Sequence, residues 1–170
     1  MDASITIRHD LRPGDLGRIV SLHGEAYAPL AGFGLRFEAY VASTVAEYVL
    51  DNDARGRIWL AEQDGRLIGC TAIALRDDNT AQLRWVVVDP AARGAGLGGT
   101  LVDKAVAFCR SHGCASIYLF TTDGLAESQA LYEKLGFHIT SNEIDKLWDG
   151  ERPLIRMQLV LGDVPDESAA

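Results

Sequence analysis

The stretch Val86 to Gly99, VVVDPAARGAGLGG, sets three β-branched residues ahead of a glycine-rich turn. Two glycine spacings overlap in it. Gly94, Gly96 and Gly99 fit G-x-G-x-x-G, the turn that carries a dinucleotide where a βαβ unit opens. Arg93, Gly96 and Gly98 fit R-x-x-G-x-G instead. The surroundings favour the second. In a dinucleotide fold the first glycine comes directly off the first strand, whereas Asp89 to Arg93 intervene here and three strand-like runs precede the loop. The disfavoured reading would use Asp123 on the cofactor ribose and implies binding of NAD(P). In the favoured one the intervening residues have uses. Pro90 cannot donate a ladder hydrogen bond, so the strand must end near Asp89. The loop then presents successive backbone N–H groups at a helix start, an anion site suited to a pyrophosphate. Glycines allow the close approach, and Arg93 adds a charge-assisted donor.

Outward from the loop, the hydrophobic period changes along the chain. Ile5 and Ile7 alternate with polar neighbours as a first edge strand, and Pro13 with Asp15 opens a helix to about Tyr27. Ala28 to Gly34, with a proline and two glycines, reads as a loop. Phe37, Val41, Val45 and Tyr48 then recur at helical spacing up to about Asp51. RIWLAEQ and RLIGCTAIAL are strands joined at Asp64-Gly65, a tight-turn dipeptide, and a turn at Asp77 to Asn79 leads into QLRWVVV. A helix over Leu97 to Phe108, the buried-type strand SIYLFTT and a helix over Leu125 to Leu135 follow. Two short strands, Phe137 to Thr140 and Leu154 to Leu161, end the pattern with a long polar loop between them. The fold class is α/β: a mixed, mostly antiparallel sheet of about seven strands, four helices on its faces, and one parallel crossover unit. Residues 1–162 form a single domain in this reading and 163–170 a disordered acidic tail.

Composition narrows the function. With 170 residues, 48% of them hydrophobic, the chain suits one domain with a substantial core. A net charge of −8 speaks against nucleic acid or an anionic membrane as partner. The N-terminus lacks the apolar run of a signal peptide, and no stretch is long enough to span a bilayer, so the expected location is cytoplasmic. Cys70, Cys109 and Cys114 form no C-x-x-C pair and read as reduced core thiols; His9, His23, His112 and His138 are scattered and receive no role. No metal is implied.

The loop, the strand SIYLFTT and QALYEKLGF (Gln129 to Phe137) together resemble the GCN5-related N-acetyltransferases, over about Ile5 to Leu161. LHGEAY, RFEAYV, LRWVVVDP and LFTTDGL look like the acetyltransferase half of proteins that fuse a MarR-type regulator to such a domain. The resemblance implies acetyl-CoA as acetyl donor, bound in a V-shaped opening between the strand ending at Val88 and the strand Ser116 to Thr121. A β-bulge in the first strand would open it. Main-chain groups of Val86, Val87 and Val88 would meet the pantetheine arm. Arg93, Gly94, Ala95, Gly96, Leu97 and Gly98, with Gly99 and Thr100, would hold the pyrophosphate, and Tyr132 would serve the leaving thiolate. Lys134 reads as a solvated neighbour.

Two positions depart from the family pattern. Leu125 stands where many relatives have an asparagine for the pantetheine, and Arg84 where many have a glutamate as general base. An arginine cannot accept the amine proton at neutral pH. Glu25 is the candidate base, with Glu38 and Glu62 behind it. Strand alternation puts Gln82, Arg84, Val86 and Val88 on one face, where Arg84 could clamp an acceptor carboxylate. The expected activity is transfer of an acetyl group to a primary amine of a small molecule, amino acid or peptide, by direct attack in a ternary complex. The expected state is monomer or homodimer. The alternative is a non-catalytic acyl-CoA sensor or interaction domain.

Overall fold

The computed structural model describes residues 4–51 and 55–162. The elements follow in the order β1 (Thr6–Arg8), α1 (Asp15–Ala31), α2 (Leu35–Leu50), β2 (Gly56–Gln63), β3 (Arg66–Leu75), β4 (Thr80–Val88), α3 (Leu97–Ser111), β5 (Ser116–Thr121), α4 (Ala126–Lys134), β6 (His138–Leu147) and β7 (Gly150–Val160). They build one seven-stranded sheet in the order β1-β2-β3-β4-β5-β7-β6, in which only β4 and β5 run parallel. The expected class and element order hold. The proposed tail, 163–170, lies outside the described residues.

Each face of the sheet carries its own core. Leu97, Leu101, Val102, Ala105 and Phe108 of α3 pack with Leu83, Ile117 and Met157 on one face. Ile19, Leu22 and Ala26 of α1 and Phe37, Val41 and Val45 of α2 pack with Leu60, Cys70 and Val87 on the other. Asp64 and Gly65 both take positive φ, the backbone that a tight hairpin turn of this dipeptide demands.

Two stretches differ from the sequence reading. Helix α1 continues past Tyr27 to Ala31, through Pro29. Proline lacks only one N–H there, and Gly32 ends the helix in the left-handed conformation with its N–H on the Ala28 carbonyl. The supposed polar loop before Leu154 is a second long hairpin, β6 paired with β7 from His138↔Gln158 to Leu147↔Gly150. Strand β6 is the sheet edge and almost wholly exposed, so neither of its faces demands the apolar alternation by which strands are recognised.

Candidate active site

The centre of the sheet splits. β4 and β5 pair only from Thr80↔Ser116 to Gln82↔Tyr118 and then diverge. The divergence has a local cause. Ala72 pairs with Arg84 but Cys70 with Val87, so β4 holds one residue more than β3 across this step. Trp85 occupies the bulge with φ 49°, a conformation that costs a non-glycine residue about 1–2 kcal/mol. Tertiary contacts hold it there. Its indole N–H donates to Thr44 Oγ1 at 3.2 Å, its carbonyl accepts from Cys70 Sγ at 3.1 Å, and its ring meets Tyr48 edge-on.

The bulge overturns one sequence expectation. An extra residue reverses the alternation, so Gln82 and Arg84 face the α1/α2 side while Val86 and Val88 pack toward α3. Val87 turns to the α1/α2 core in their place. The four residues therefore do not share a face.

After β4, the Asp89 carboxylate accepts the Ala91 N–H at 2.8 Å and pairs with Arg66, closing a short 3₁₀ turn at Pro90–Ala92. Gly94 and Gly96 take φ 87° and 77°, and Gly96 caps α3. The first helical bond runs from Thr100 N–H to the Gly96 carbonyl, so the N–H groups of Leu97, Gly98 and Gly99 precede the ladder and are available at the positive helix end. A Cβ on Gly98 would stand 3.3 Å from Leu131 Cδ2 and 3.7 Å from Val88 Cγ2. The start of α3 is thus close against β4 and α4, and a side chain at Gly98 would crowd Leu131. Arg93 Nε donates to the Val88 carbonyl at 3.3 Å, which places its guanidinium beside the same turn. Leu97 and Val87 are buried in the cores, so each can offer a ligand its main chain only. These features fit a pyrophosphate and an extended arm along β4.

A cavity of about 760 Å³ spans the split. Tyr132 belongs to the core on the α3 side yet lines this cavity together with Tyr27 and His23 of α1. Its ring packs edge-on to Phe137 at 5.9 Å, and burial pushes its hydroxyl well above the ordinary tyrosine range, so it stays protonated. Tyr27 donates to the Val86 carbonyl at 2.6 Å, which leaves that carbonyl one lone pair for a bound arm. Burial likewise pushes the Tyr27 hydroxyl up to about 12.

His23 and Tyr27 stand one turn apart on α1, facing the sheet, and that spacing is the signal by which sequence reasoning could have found them. His23 Nδ1 lies 2.8 Å from the Ile19 carbonyl, an acceptor only, so Nδ1 carries the proton and Nε2 the lone pair. Burial lowers its pKa to about 4 and keeps the ring neutral.

The carboxylates chosen from the sequence are elsewhere. Glu25 sits two residues after His23, about 200° around the helix, where it is exposed and accepts from Ser21 Oγ at 2.9 Å. Glu38 covers the backbone of Gly24 between α1 and α2. Glu62 is bound to Arg8 at 2.8 Å. None of the three lines the cavity, nor does any other carboxylate among the described residues.

Arg84 does line it. Its guanidinium lies 4.5 Å from the Trp85 ring centroid and beside Tyr40, with no carboxylate partner among the described residues. Desolvation pulls its pKa down, yet a guanidinium remains charged. Phe33, Phe37, Tyr40 and Trp148 form an aromatic wall opposite, with Phe37 and Trp148 centred 4.9 Å apart. The Trp148 indole N–H is buried without a hydrogen-bond partner. A cation without a carboxylate partner among the described residues, in a cavity with aromatic walls, favours an acidic guest.

Residues 24–137 match the model of the Acetyltransferase (GNAT) family. The chain belongs to this family. A mycothiol acetyltransferase from Thermomonospora curvata is 33% identical over 96 residues, covering 56% of this chain and 32% of that protein. Human N-acetylaspartate synthetase is 36% identical over 80 residues, 46% of this chain and 26% of the synthetase. The chain thus spans about a third or less of these relatives' length. The structure of yncA from Salmonella typhimurium with its cofactor acetyl-CoA superposes with a TM-score of 0.71 at 22% identity, covering 98% of this chain and 99% of that one, a likeness of fold. Among the described residues, no helix of this GNAT protein is long and apolar enough to cross a membrane.

Proposed function

We propose that this GNAT protein transfers an acetyl group from acetyl-CoA to the primary amine of an acceptor that also bears a carboxylate. Arg84 is the observation that carries this reading: a charged, partly desolvated guanidinium in the cavity without a carboxylate partner among the described residues. Such a group gains most from a bidentate carboxylate partner. The similarity to N-acetylaspartate synthetase, named for an acidic amino-acid product, supports it. Within the family, likeness to the acetyltransferase half of regulator fusions rests on the four quoted stretches.

When bound, acetyl-CoA supplies a thioester carbonyl open to nucleophiles. The chain supplies position and charge. Residues Arg93 to Thr100 hold the diphosphate, the backbone of Val86 to Val88 aligns the arm, and Tyr132 donates a hydrogen bond to sulfur as charge grows there. Because its pKa stays above that of a thiol, near 8.5 in the free amino acid, Tyr132 stabilises the departing thiolate by its hydrogen bond more than by giving up its proton. A pKa near 4 makes His23 a weak proton acceptor, so the amine must arrive unprotonated, and the N–H proton it sheds as the C–N bond forms and the C–S bond breaks would pass to the departing thiolate, directly or through water. The rate therefore rises with pH through the acceptor's own amine pKa.

One observation favours a second reading, an acyl-CoA sensor: no carboxylate base lines the cavity among the described residues. Thermal shift with acetyl-CoA, CoA and NAD(P)H, followed by thiol release over an amine panel, separates the two. Stabilisation by acetyl-CoA with release by amino acids is the expected result. Stabilisation without release from any amine assigns the sensor, and stabilisation by NAD(P)H alone rejects both.

A further inference from the structure

The acceptor cavity does not end at Arg84. Phe120 lines both it and a second cavity of about 630 Å³, which opens across the uncovered part of the same sheet face. Arg76 and Arg156 border this groove. Arg156 lies over the Tyr118 ring at 4.6 Å from its centroid and donates to Gln158 Oε1 at 2.7 Å and Thr140 Oγ1 at 3.0 Å. Arg76 donates to the Tyr118 hydroxyl at 3.3 Å and to Gln82 Oε1. Neutral groups therefore position both guanidiniums, and neither has a carboxylate partner among the described residues.

Arg36, Arg57, Arg93 and Arg110 also have no carboxylate partner among the described residues, but Arg76, Arg84 and Arg156 are gathered on one sheet face. Arg8, Arg12, Arg18, Arg55, Arg66 and Arg152 each have an aspartate or glutamate within ion-pair distance. Asp77 and Asp78 also line the groove: Asp77 pairs with Arg55 at 2.7 Å, and Asp78 accepts from the Thr80 N–H and hydroxyl and lies within the field of Arg76. Arg76 lies near enough to Arg84 to disfavour its charge. Three cations thus share one sheet face, two of them stacked on aromatic rings, and an anion beside them would accept charge-assisted hydrogen bonds.

We infer that the groove bordered by Arg76, Tyr118 and Arg156 is a subsite for a second anionic group of the acceptor, beyond the carboxylate held at Arg84. The inference rests on the acetyl-transfer reading above and extends it to acceptor class. The fitting acceptors carry an amine and at least two carboxylates, either as a dicarboxylic amino acid or as the amino end of an acidic peptide. A polyamine meets repulsion at all three positions.

The test compares paired acceptors on the wild-type chain, Arg76→Gln and Arg156→Gln: alanine against aspartate, and Ala-Ala-Ala against Ala-Asp-Asp. Arg76 is exposed at the end of β3, so its substitution leaves the fold intact even if that of Arg156 does not. Thiol release is measured at saturating acetyl-CoA, and binding of the same four probes is measured by calorimetry with CoA present. The expected result is a lower KM for the acidic member of a pair, with that advantage reduced about tenfold in each variant, as for loss of one charged hydrogen bond. The neutral member and kcat stay unchanged. The pair that shows the effect identifies amino acid or peptide. Equal KM within both pairs, or equal shifts of both members, overturns the subsite. If no probe releases thiol, the acetyl-transfer reading fails; calorimetry then decides the subsite alone, upheld by acidic binding that weakens in the variants and overturned without it.

Discussion

Tyr132 and Arg84 divide the proposed chemistry between them, and each has a substitution that isolates its share. Tyr132→Phe removes one hydroxyl from a ring already fixed against Phe137. Turnover is expected to fall about a hundredfold or more, while acetyl-CoA affinity by calorimetry stays as in wild type. An unchanged kcat would leave Tyr132 a core residue. Arg84→Gln is expected to raise KM for carboxylate-bearing amines about tenfold or more and to leave acceptors without a carboxylate unaffected. Equal shifts for both kinds of amine would remove the clamp. Tyr132 was legible from QALYEKLGF, but Glu25 was misplaced because its role depended on which way a helix faces. His23 and Tyr27 point at the sheet from α1, and Glu25 between them must point away.

The glycine turn and the bulged strand are the elements that make the opening. Gly98→Val would drive a branched side chain toward Leu131, already 3.3 Å from the Cβ position. Acetyl-CoA affinity is expected to drop more than tenfold, with a melting temperature lowered by a few degrees, about what 1 kcal/mol of overpacking does to a domain this size. Retained affinity would mean that the turn does not hold the diphosphate. This loop was readable because its glycines sit next to one another in sequence. The resemblance implied a bulge in this strand, and the structure has one, but nothing in QLRWVVV marks Trp85 as the extra residue. Its place is settled by Thr44 and Tyr48 of α2 and Cys70 of β3, two elements distant in sequence. The hairpin β6–β7 escaped detection for the opposite reason: an edge strand open to water needs no apolar pattern.

Stability of the whole molecule should carry the mark of His23. In the folded chain its pKa is lowered to about 4, whereas an unfolded chain keeps about 6.5. Between those values the unfolded state binds the proton and the folded state does not, so stability is fully present above about 6.5 and falls as the pH drops. The slope approaches about 1.4 kcal/mol per pH unit, for a total of about 3 kcal/mol by pH 4. Urea unfolding at pH 7 and pH 5 checks this. His23→Gln is expected to reduce the difference between the two pH values, and an unaltered difference would show that other groups cause it.

Composition, hydrophobic period and adjacent motifs are local properties, and they settled the α/β class and the order of elements and singled out the glycine turn and Tyr132 as candidates. The acceptor side depended on long-range contacts. One inserted residue at Trp85 reversed the faces of β4 after Arg84 and so parted Gln82 and Arg84 from Val86 and Val88, while strand pairing put Gln82 and Arg84 on one surface with Tyr118 and Arg156, more than thirty residues away. That choice belongs to the packing of α2 and β3 against the bulge, because alternation along a strand fixes a face only while the ladder stays in register.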